Sequence, residues 1–404
     1  MFKRLLTTIG LLATAAIAST SHAQKFDQLA KTPQLGWNSW NTFGCNVNEQ
    51  MIRDMADAVV SSGMKAAGYE YINIDDCWHG ERDANGNIQA NKETFPSGMK
   101  ALADYVHSKG LKLGIYSDAG NTTCGGRPGS RGHEYQDALT YAGWGINYVK
   151  YDWCDTKDIN PKSAYATMRD AIHKAGRPML FSICEWGDNQ PWEWASDVGH
   201  SWRTTGDIYP CWNCEHKHGS WSSLGIMPIL DKQAGLRKYA GPGHWNDMDM
   251  MEVGNGMNEE EDRAHFSLWA IMASPLIAGN DLRSMSETTR KILTHKDMLA
   301  INQDKLGIQA MKWIDEGDVE IYIKPLEHGD YAVLFLNRAD QRVKYHFDWS
   351  FHYMTDDISG YKIHFDKQQF TWRDIWRDNK GSTAEMLSLD IPAHGVRVLR
   401  LSPK

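Results

Sequence analysis

The sequence predicts an α/β fold: a (β/α)8 TIM barrel followed by a C-terminal antiparallel β-sandwich domain. Three observations predict it. Eight short apolar runs, each ending in a polar or aromatic cluster, recur between Gln34 and Leu282. With Trp40, Asp76, Tyr116, Asp152, Glu185, Asp207, Asp249 and Asn280 as markers, successive gaps are 36, 40, 36, 33, 22, 42 and 31 residues. A strand, its loop and a returning helix need about that length, and eight such units make a barrel of roughly 250 residues. Beyond about Lys305 the pattern changes to short alternating runs between turn residues.

The eight runs are LGWNSW (35–40), YEYINIDDCW (69–78), LKLGIYSD (111–118), INYVKYDWC (146–154), PMLFSICEWG (178–187), SWRTTGD (201–207), HWNDMDM (244–250) and SPLIAGNDL (274–282). Helical periodicity fills the spaces between them. Met51, Met55, Ala58 and Val59 share one face, and Phe95-Pro96-Ser97 opens a helix carrying Leu102, Tyr105 and Val106. In the tail, VEIYIKPL, DYAVLFLNR and VKYHFDW read as strands, with EHGD and RADQ as turns. The expected boundaries are a targeting segment at 1–23, the barrel at 24–302 and the β domain at 303–404.

Composition narrows the function class. Apolar residues at 42% and charged residues at 23% exclude a disordered, collagenous or polytopic membrane chain. Lys and Arg number 43 against 51 Asp and Glu, a formal charge of −8, and no basic block is present, so nucleic acid is not an expected partner. Seventeen Trp and sixteen Tyr hint at carbohydrate, because sugar C–H faces pack on flat rings.

Residues 1–23 read as a secretory signal peptide: Lys3 and Arg4, an apolar stretch from Leu5 to Ile17, then Ser21-His22-Ala23 before Gln24. The apolar run is shorter than the ~20 residues of a membrane span. The expectation is a protein exported to the periplasm or the medium, with no membrane association. Export permits disulfides. Seven cysteines, an odd number, leave at least one thiol unpaired within the chain. Cys211 and Cys214 with His216 and His218 resemble a zinc knot, but four ligands within eight residues are cramped, and a loop disulfide or buried thiols compete with it.

In a (β/α)8 barrel the site forms at the C-terminal ends of the strands. Those ends supply Asp75, Asp76, Tyr116, Asp118, Lys150, Asp152, Glu185, Arg203, Asp207, Asp247 and Asp249, with Trp40, Trp78, Trp153 and Trp186 among them. Carboxylates accept from hydroxyls, Lys and Arg donate, and aromatic rings take apolar faces, which outlines a sugar pocket. One such Asp is ordinarily a helix cap; six strands ending this way is a pattern caps do not explain.

The wording of the motifs is more specific. GWNSWNTFGC, INIDDCW, GIYSDAGNTTC, YVKYDWC, CEWG, WRTTGDI, GPGHWNDMDM and ASPLIAGNDL resemble glycoside hydrolase family 27, the α-galactosidases or melibiases, from about Thr32 to the C-terminus. The resemblance implies Asp152 as nucleophile and Asp207 as general acid/base of a retaining α-galactosidase acting on α-galactosides. Such chemistry needs two carboxyls roughly 5–5.5 Å apart and no metal or organic cofactor. Lys150, two residues from Asp152 on one strand, would help to keep it ionised. The resemblance further implies Asp75 and Asp76 at the axial 4-hydroxyl and the 6-hydroxyl, Trp40 and Tyr116 along the same wall, and Arg203 and Glu185 near the 2-hydroxyl. Asp249 is expected farther out. Bulky Glu185 and Trp186 argue against an N-acetyl group, and the Asp75-Asp76 pair argues against β-L-arabinopyranosides. Those two specificities, and a non-catalytic galactose-binding protein, remain the alternatives. A metal-dependent hydrolase would lack His ligands at strand ends. The same match pairs Cys45 with Cys77 and Cys124 with Cys154 and leaves Cys184 as a buried thiol. It departs at Met248, where the family has proline. Oligomeric state is not legible.

Overall fold

The computed structural model describes residues 25–404; the expected targeting segment lies outside the described residues. The barrel strands are β1 (Leu35–Asn38), β2 (Tyr71–Ile74), β3 (Lys112–Asp118), β4 (Tyr148–Asp152), β5 (Leu180–Ile183), β6 (Ser201–Arg203), β7 (Trp245–Asp247) and β8 (Leu276–Ala278). They pair in parallel in the order β8-β1-β2-β3-β4-β5-β6-β7. Closure between β7 and β8 comes after β7 ends, through a parallel bridge between Met251 and Ala278. There the Met251 amide donates to Ile277 at 2.7 Å and Gly279 donates to Met251 at 3.0 Å.

Most strands are buried from end to end, as expected where helices cover one face and a packed interior fills the other. Glycine is required at 114 because a Cβ there would lie 2.0 Å from the Asn73 side chain and 2.8 Å from Tyr148 Cβ. The segment before β1 seals the N-terminal end of the barrel. Lys25 Nζ donates to the carbonyls of Gly199 and Gly243, and the Trp245 indole donates to Ala30 O at 2.8 Å.

The outer helices start and stop where local chemistry directs. Helix Glu49–Ser61 is capped by the Asn48 side chain, which accepts from Met51 N at 3.0 Å. Its apolar face buries Met51, Ile52, Met55, Ala58 and Val59. Helix Pro161–Ala175 begins with Asn160 as cap and Pro161 in the first turn, and ends at left-handed Gly176. Helix Glu259–Ile271 opens on a capping box between Asn258 and Glu261. One expected helix is missing. Between β5 and β6 only a single 3-10 turn, Pro191–Glu193, is present. This is the 22-residue repeat, too short for strand, two loops and a helix.

The C-terminal domain carries a six-stranded antiparallel sheet in which Tyr331–Asn337 lies between Val319–Pro325 and Val396–Pro403. Tyr331–Asn337 is buried at every position. Successive side chains face opposite ways. Ala332, Leu334 and Leu336 join the barrel core, while Tyr331, Val333 and Phe335 join a second core with Phe347, Trp349 and Phe365. The sheet is therefore cemented to the barrel on one face and covered by a second layer on the other. Trp376 Nε1 donates to Ser267 Oγ at 3.0 Å across the junction, and Arg373 pairs with Asp297 at 2.8 Å. No helix among the described residues is long and apolar enough to cross a membrane.

Candidate active site

At the C-terminal ends of the strands lies a small cavity, lined by Trp40, Asn41, Asp75, Asp76, Tyr116, Cys124, Lys150, Asp152, Trp186, Arg203, Asp207, Asp249 and Met250. Asp75, at the end of β2, accepts from Asn38 Nδ2 and Lys150 Nζ, each at 2.8 Å. Asp76 is oriented by backbone donors, Cys77 N at 2.6 Å and Gly125 N at 2.7 Å. Burial raises the Asp76 carboxyl against those donors. The Tyr116 hydroxyl has no hydrogen-bond partner in the protein, so it is available to a ligand hydroxyl.

Asp152 ends β4 and is 5% exposed. Burial raises its pKa; Lys150 opposes that, and the charge of Asp207 adds to it. The help expected from Lys150 is therefore real in direction but outweighed by desolvation. Lys150 itself is mostly enclosed, with 15% of its side chain exposed. Burial would lower it, but Asp75, with Asp152, reverses the shift and holds the ammonium well above its ordinary value. Asp207 is the more accessible carboxylate, with 37% of its side chain exposed. Arg203 bridges it at 3.0 Å to Asp249 at 2.8 Å. Asp249 also accepts from Ile208 N at 2.8 Å. Asp249 therefore lies on the cavity wall, closer in than expected, and anchors the backbone just after Asp207. Cys77, Trp186 and Asp249 hold positive φ of 75°, 58° and 79°. Strained non-glycine residues of this kind gather where the surrounding structure fixes functional side chains.

Several strand-end groups do other work. Glu185, expected at the 2-hydroxyl, is fully buried, does not line the cavity, and accepts from Asn189 N at 2.7 Å and Asn189 Nδ2 at 2.6 Å. The reason is local: Trp186 and Gly187 take left-handed conformations, which fold the loop back over Glu185. Asp118 accepts from Gly120 N and Cys154 N. Asp247 accepts from Asp249 N at 2.9 Å. Trp78 is buried, its indole donating to Tyr116 O at 2.9 Å, and Trp153 stacks on Tyr165 at 5.5 Å. Neither reaches the cavity.

Sequence reasoning missed Asn41, Met250 and Glu252. Asn41 and Met250 each adjoin a named residue, which was the available signal. Glu252 is 3% exposed and accepts from Asn41 Nδ2 at 2.7 Å. Nothing in its sequence position marks it. Burial pushes its pKa up to about 7. Because the folded value lies above the ordinary 4.5, its contribution to stability is fully present below pH 4.5 and is lost as pH rises through 7. Glu252→Gln is expected to flatten the fall in Tm between pH 4.5 and 7.5; an unchanged pH profile would refute the assignment.

Three disulfides brace the mouth: Cys45–Cys77, Cys124–Cys154 and Cys211–Cys214. The first two are the pairs implied by the family resemblance, and Cys184 is a buried free thiol. Cys211 and Cys214 bind each other, so the zinc arrangement fails. Likewise Asp118, Cys124 and Cys154 lie close together, but both sulfurs are consumed. Cys124 holds the loop whose Gly125 N–H orients Asp76. Cys124→Ser with Cys154→Ser is expected to destabilise the fold by about 2–4 kcal/mol and to raise KM, read by urea unfolding and steady-state assay. An unaltered KM would detach the loop from Asp76.

A barrel whose mouth is one small acidic cavity, with three aromatic rings and a Lys and an Arg paired to its carboxylates, has the site of a glycoside hydrolase. Comparison with known proteins resolves the class further. Residues 32–304 match the family model "Alpha galactosidase A", and 316–401 match "Alpha galactosidase C-terminal beta sandwich domain". The chain is 82% identical over 404 residues to Alpha-galactosidase A of Cellvibrio japonicus, covering all of both chains. Its fold matches alpha-galactosidase I of Mortierella vinacea with a TM-score of 0.86 and 40% identity, over 94% of this chain and 98% of that one. It also matches a Saccharomyces cerevisiae α-galactosidase solved with raffinose, with a TM-score of 0.84 and 30% identity, over 95% and 100% of the two chains. The chain belongs to the α-galactosidase (melibiase) family of glycoside hydrolases and is an α-galactosidase.

Proposed function

We propose that the protein is exported and hydrolyses terminal non-reducing α-D-galactosyl residues with retention, by double displacement at Asp152 and Asp207. The observation that carries this reading is the inequality of the two carboxylates lining one cavity. Asp152 sits deep beside Lys150, and Asp207 sits nearer the solvent on Arg203. A nucleophile must lie under the anomeric carbon, and an acid must reach the departing oxygen on the open side. In the first step Asp152 bonds to C1 as the glycosidic C1–O bond breaks, and the Asp207 proton goes to the departing oxygen. In the second, Asp207 takes a proton from water, whose oxygen displaces Asp152 from C1. Asp75 and Asp76 accept from hydroxyls at the far end of the sugar. An equatorial 4-hydroxyl would forfeit a bond to this pair, which discriminates against it. Bulky Trp186, which lines the cavity, argues against room for an N-acetyl group.

Export is supported by the charged, apolar and small-residue pattern of residues 1–23 and by the three disulfides, which persist in oxidising compartments. Raffinose, present with the yeast relative, is a natural first substrate. The test is hydrolysis of p-nitrophenyl α-D-galactopyranoside beside the α-N-acetylgalactosaminide, α-glucoside and β-L-arabinopyranoside, with NMR of the first-formed sugar. Release of α-galactose alone is expected. A β-anomer would overturn the mechanism, and turnover of another glycoside would overturn the specificity. N-terminal sequencing of exported protein is expected to begin at Gln24.

A further inference from the structure

We propose that the hairpin following Asp207 is a binding platform for the saccharide leaving group, an aromatic subsite outside the galactosyl cavity. The inference rests on the reading of Asp207 as the acid. The cavity is small, and with the terminal galactosyl ring in it the rest of an oligosaccharide lies beyond it. An acid that protonates the departing oxygen touches the leaving group, and the chain continuing from Asp207 becomes its nearest wall. Tyr209 is two residues on, within about 7 Å of Asp207 along the backbone.

From Tyr209 a ladder of rings runs outward. Tyr209 stacks on His216 at 4.1 Å and an interplanar angle of 5°. His216 meets His218 edge-on at 4.7 Å, and His218 stacks on Trp221 at 4.1 Å. Trp221 is 51% exposed. The strands Glu215–Lys217 and Ser222–Leu224 are antiparallel. His216 and His218, two residues apart, share one face, whereas Glu215 and Lys217 take the other. A half-exposed indole at the end of such a ladder suits the C–H face of a sugar and has no other visible work. Gly219, at φ 85°, allows the tight turn that brings His218 N to Trp221 O at 2.8 Å.

The base of the hairpin is rigid. Cys211 is bonded to Cys214. The carbonyls of Cys214, Cys211 and Trp212 accept from Gly225, Ile226 and Met227 at 2.8, 3.0 and 2.9 Å, satisfying the start of helix Ile226–Asp231. Trp212 stacks on His394 of the C-terminal domain at 4.8 Å. Leu224 N donates to the Asp207 carbonyl and Tyr209 N to Leu224 O, both at 2.8 Å. The platform is thus tied to the backbone of the acid itself.

The test compares raffinose, whose leaving group is a disaccharide, with p-nitrophenyl α-D-galactopyranoside, on the full-length exported protein and on Trp221→Ala, His216→Ala and Trp221→Phe. Trp221→Ala is expected to raise KM for raffinose by about 3- to 10-fold, the size of one lost aromatic stack. kcat for raffinose and both constants for the aryl galactoside should stay within twofold, and Trp221→Phe should restore most of the loss. Equal losses on both substrates would make the hairpin merely structural, and no change on either would remove the platform; each overturns the proposal. Equal losses on the two substrates in Asp207→Asn would instead overturn the reading of Asp207 as the acid, a result separate from those on Trp221.

Discussion

Asp152→Asn is expected to abolish hydrolysis of p-nitrophenyl α-D-galactopyranoside, lowering kcat by roughly four orders of magnitude or more, the scale seen when a nucleophile is removed from an enzyme that works through a covalent intermediate. Asparagine has the same shape, so the cavity should persist and a galactose product should still bind. The variant should also be more stable. Burial raises the Asp152 carboxyl, so ionising it works against the fold as pH rises, and the amide removes that penalty. The Tm advantage is expected to grow from pH 5 to pH 7.5. Asp207→Asn should behave differently: an aryl oxygen departs without full protonation, so its loss on the aryl substrate should be much smaller than on raffinose. Equal losses on the two substrates would deny Asp207 its role as acid. Residual turnover by Asp152→Asn above about one per cent would deny Asp152 its role as nucleophile.

Arg203→Met is the second large effect. Arg203 is buried between Asp207 and Asp249, and burial, which would lower it, is overcome by those carboxylates. Removing it leaves Asp249 enclosed at 4% exposure without its ion-pair partner. Breaking a buried pair from one side destabilises by about 3–5 kcal/mol. The uncompensated carboxylate would then be raised further, so the deficit should shrink as pH falls from 7.5 to 5 and protonation neutralises it. Arg203→Lys should recover only part, because a single ammonium does not bridge two carboxylates as a planar fork does. Urea unfolding at both pH values reads the effect. A loss below about 1 kcal/mol at pH 7.5, or one that does not depend on pH, would show that Arg203 does not hold the two acids.

The barrel was legible because β strands advertise themselves by composition and length, and because eight repeats leave little choice of architecture. The exception obeys the same logic. The 22-residue gap between Glu185 and Asp207, counted with the others as a full unit, was the signal for the place where no helix forms. Tyr331–Asn337 reads as an alternating strand, but it is buried on both faces, because one face packs on the barrel; its unbroken apolar run was the signal. The site was legible as a set of strand ends, and through the motifs as particular residues. What failed there were the assignments that depend on loop direction. Glu185 and Trp186 are adjacent in sequence, yet only Trp186 reaches the cavity, because the left-handed turn at Trp186 and Gly187 returns the Glu185 carboxylate to Asn189.

The sequence by itself determined that carboxylates, a Lys, an Arg and aromatic rings would crowd one end of a parallel barrel, since strand polarity and spacing are local properties. It also held the wording that identifies the family. Only the tertiary structure decided which of those groups share the cavity. Asp75, Asp76, Asp152, Asp207 and Asp249 line it, whereas Asp118, Asp247 and Glu185 hold loops together. The physical reason is that a carboxylate at a strand end has two competing partners, the backbone N–H groups of its own loop and a ligand across the cavity. Which one it meets is set by contacts between residues distant in sequence, such as Gly125 with Asp76 and Arg203 with Asp249.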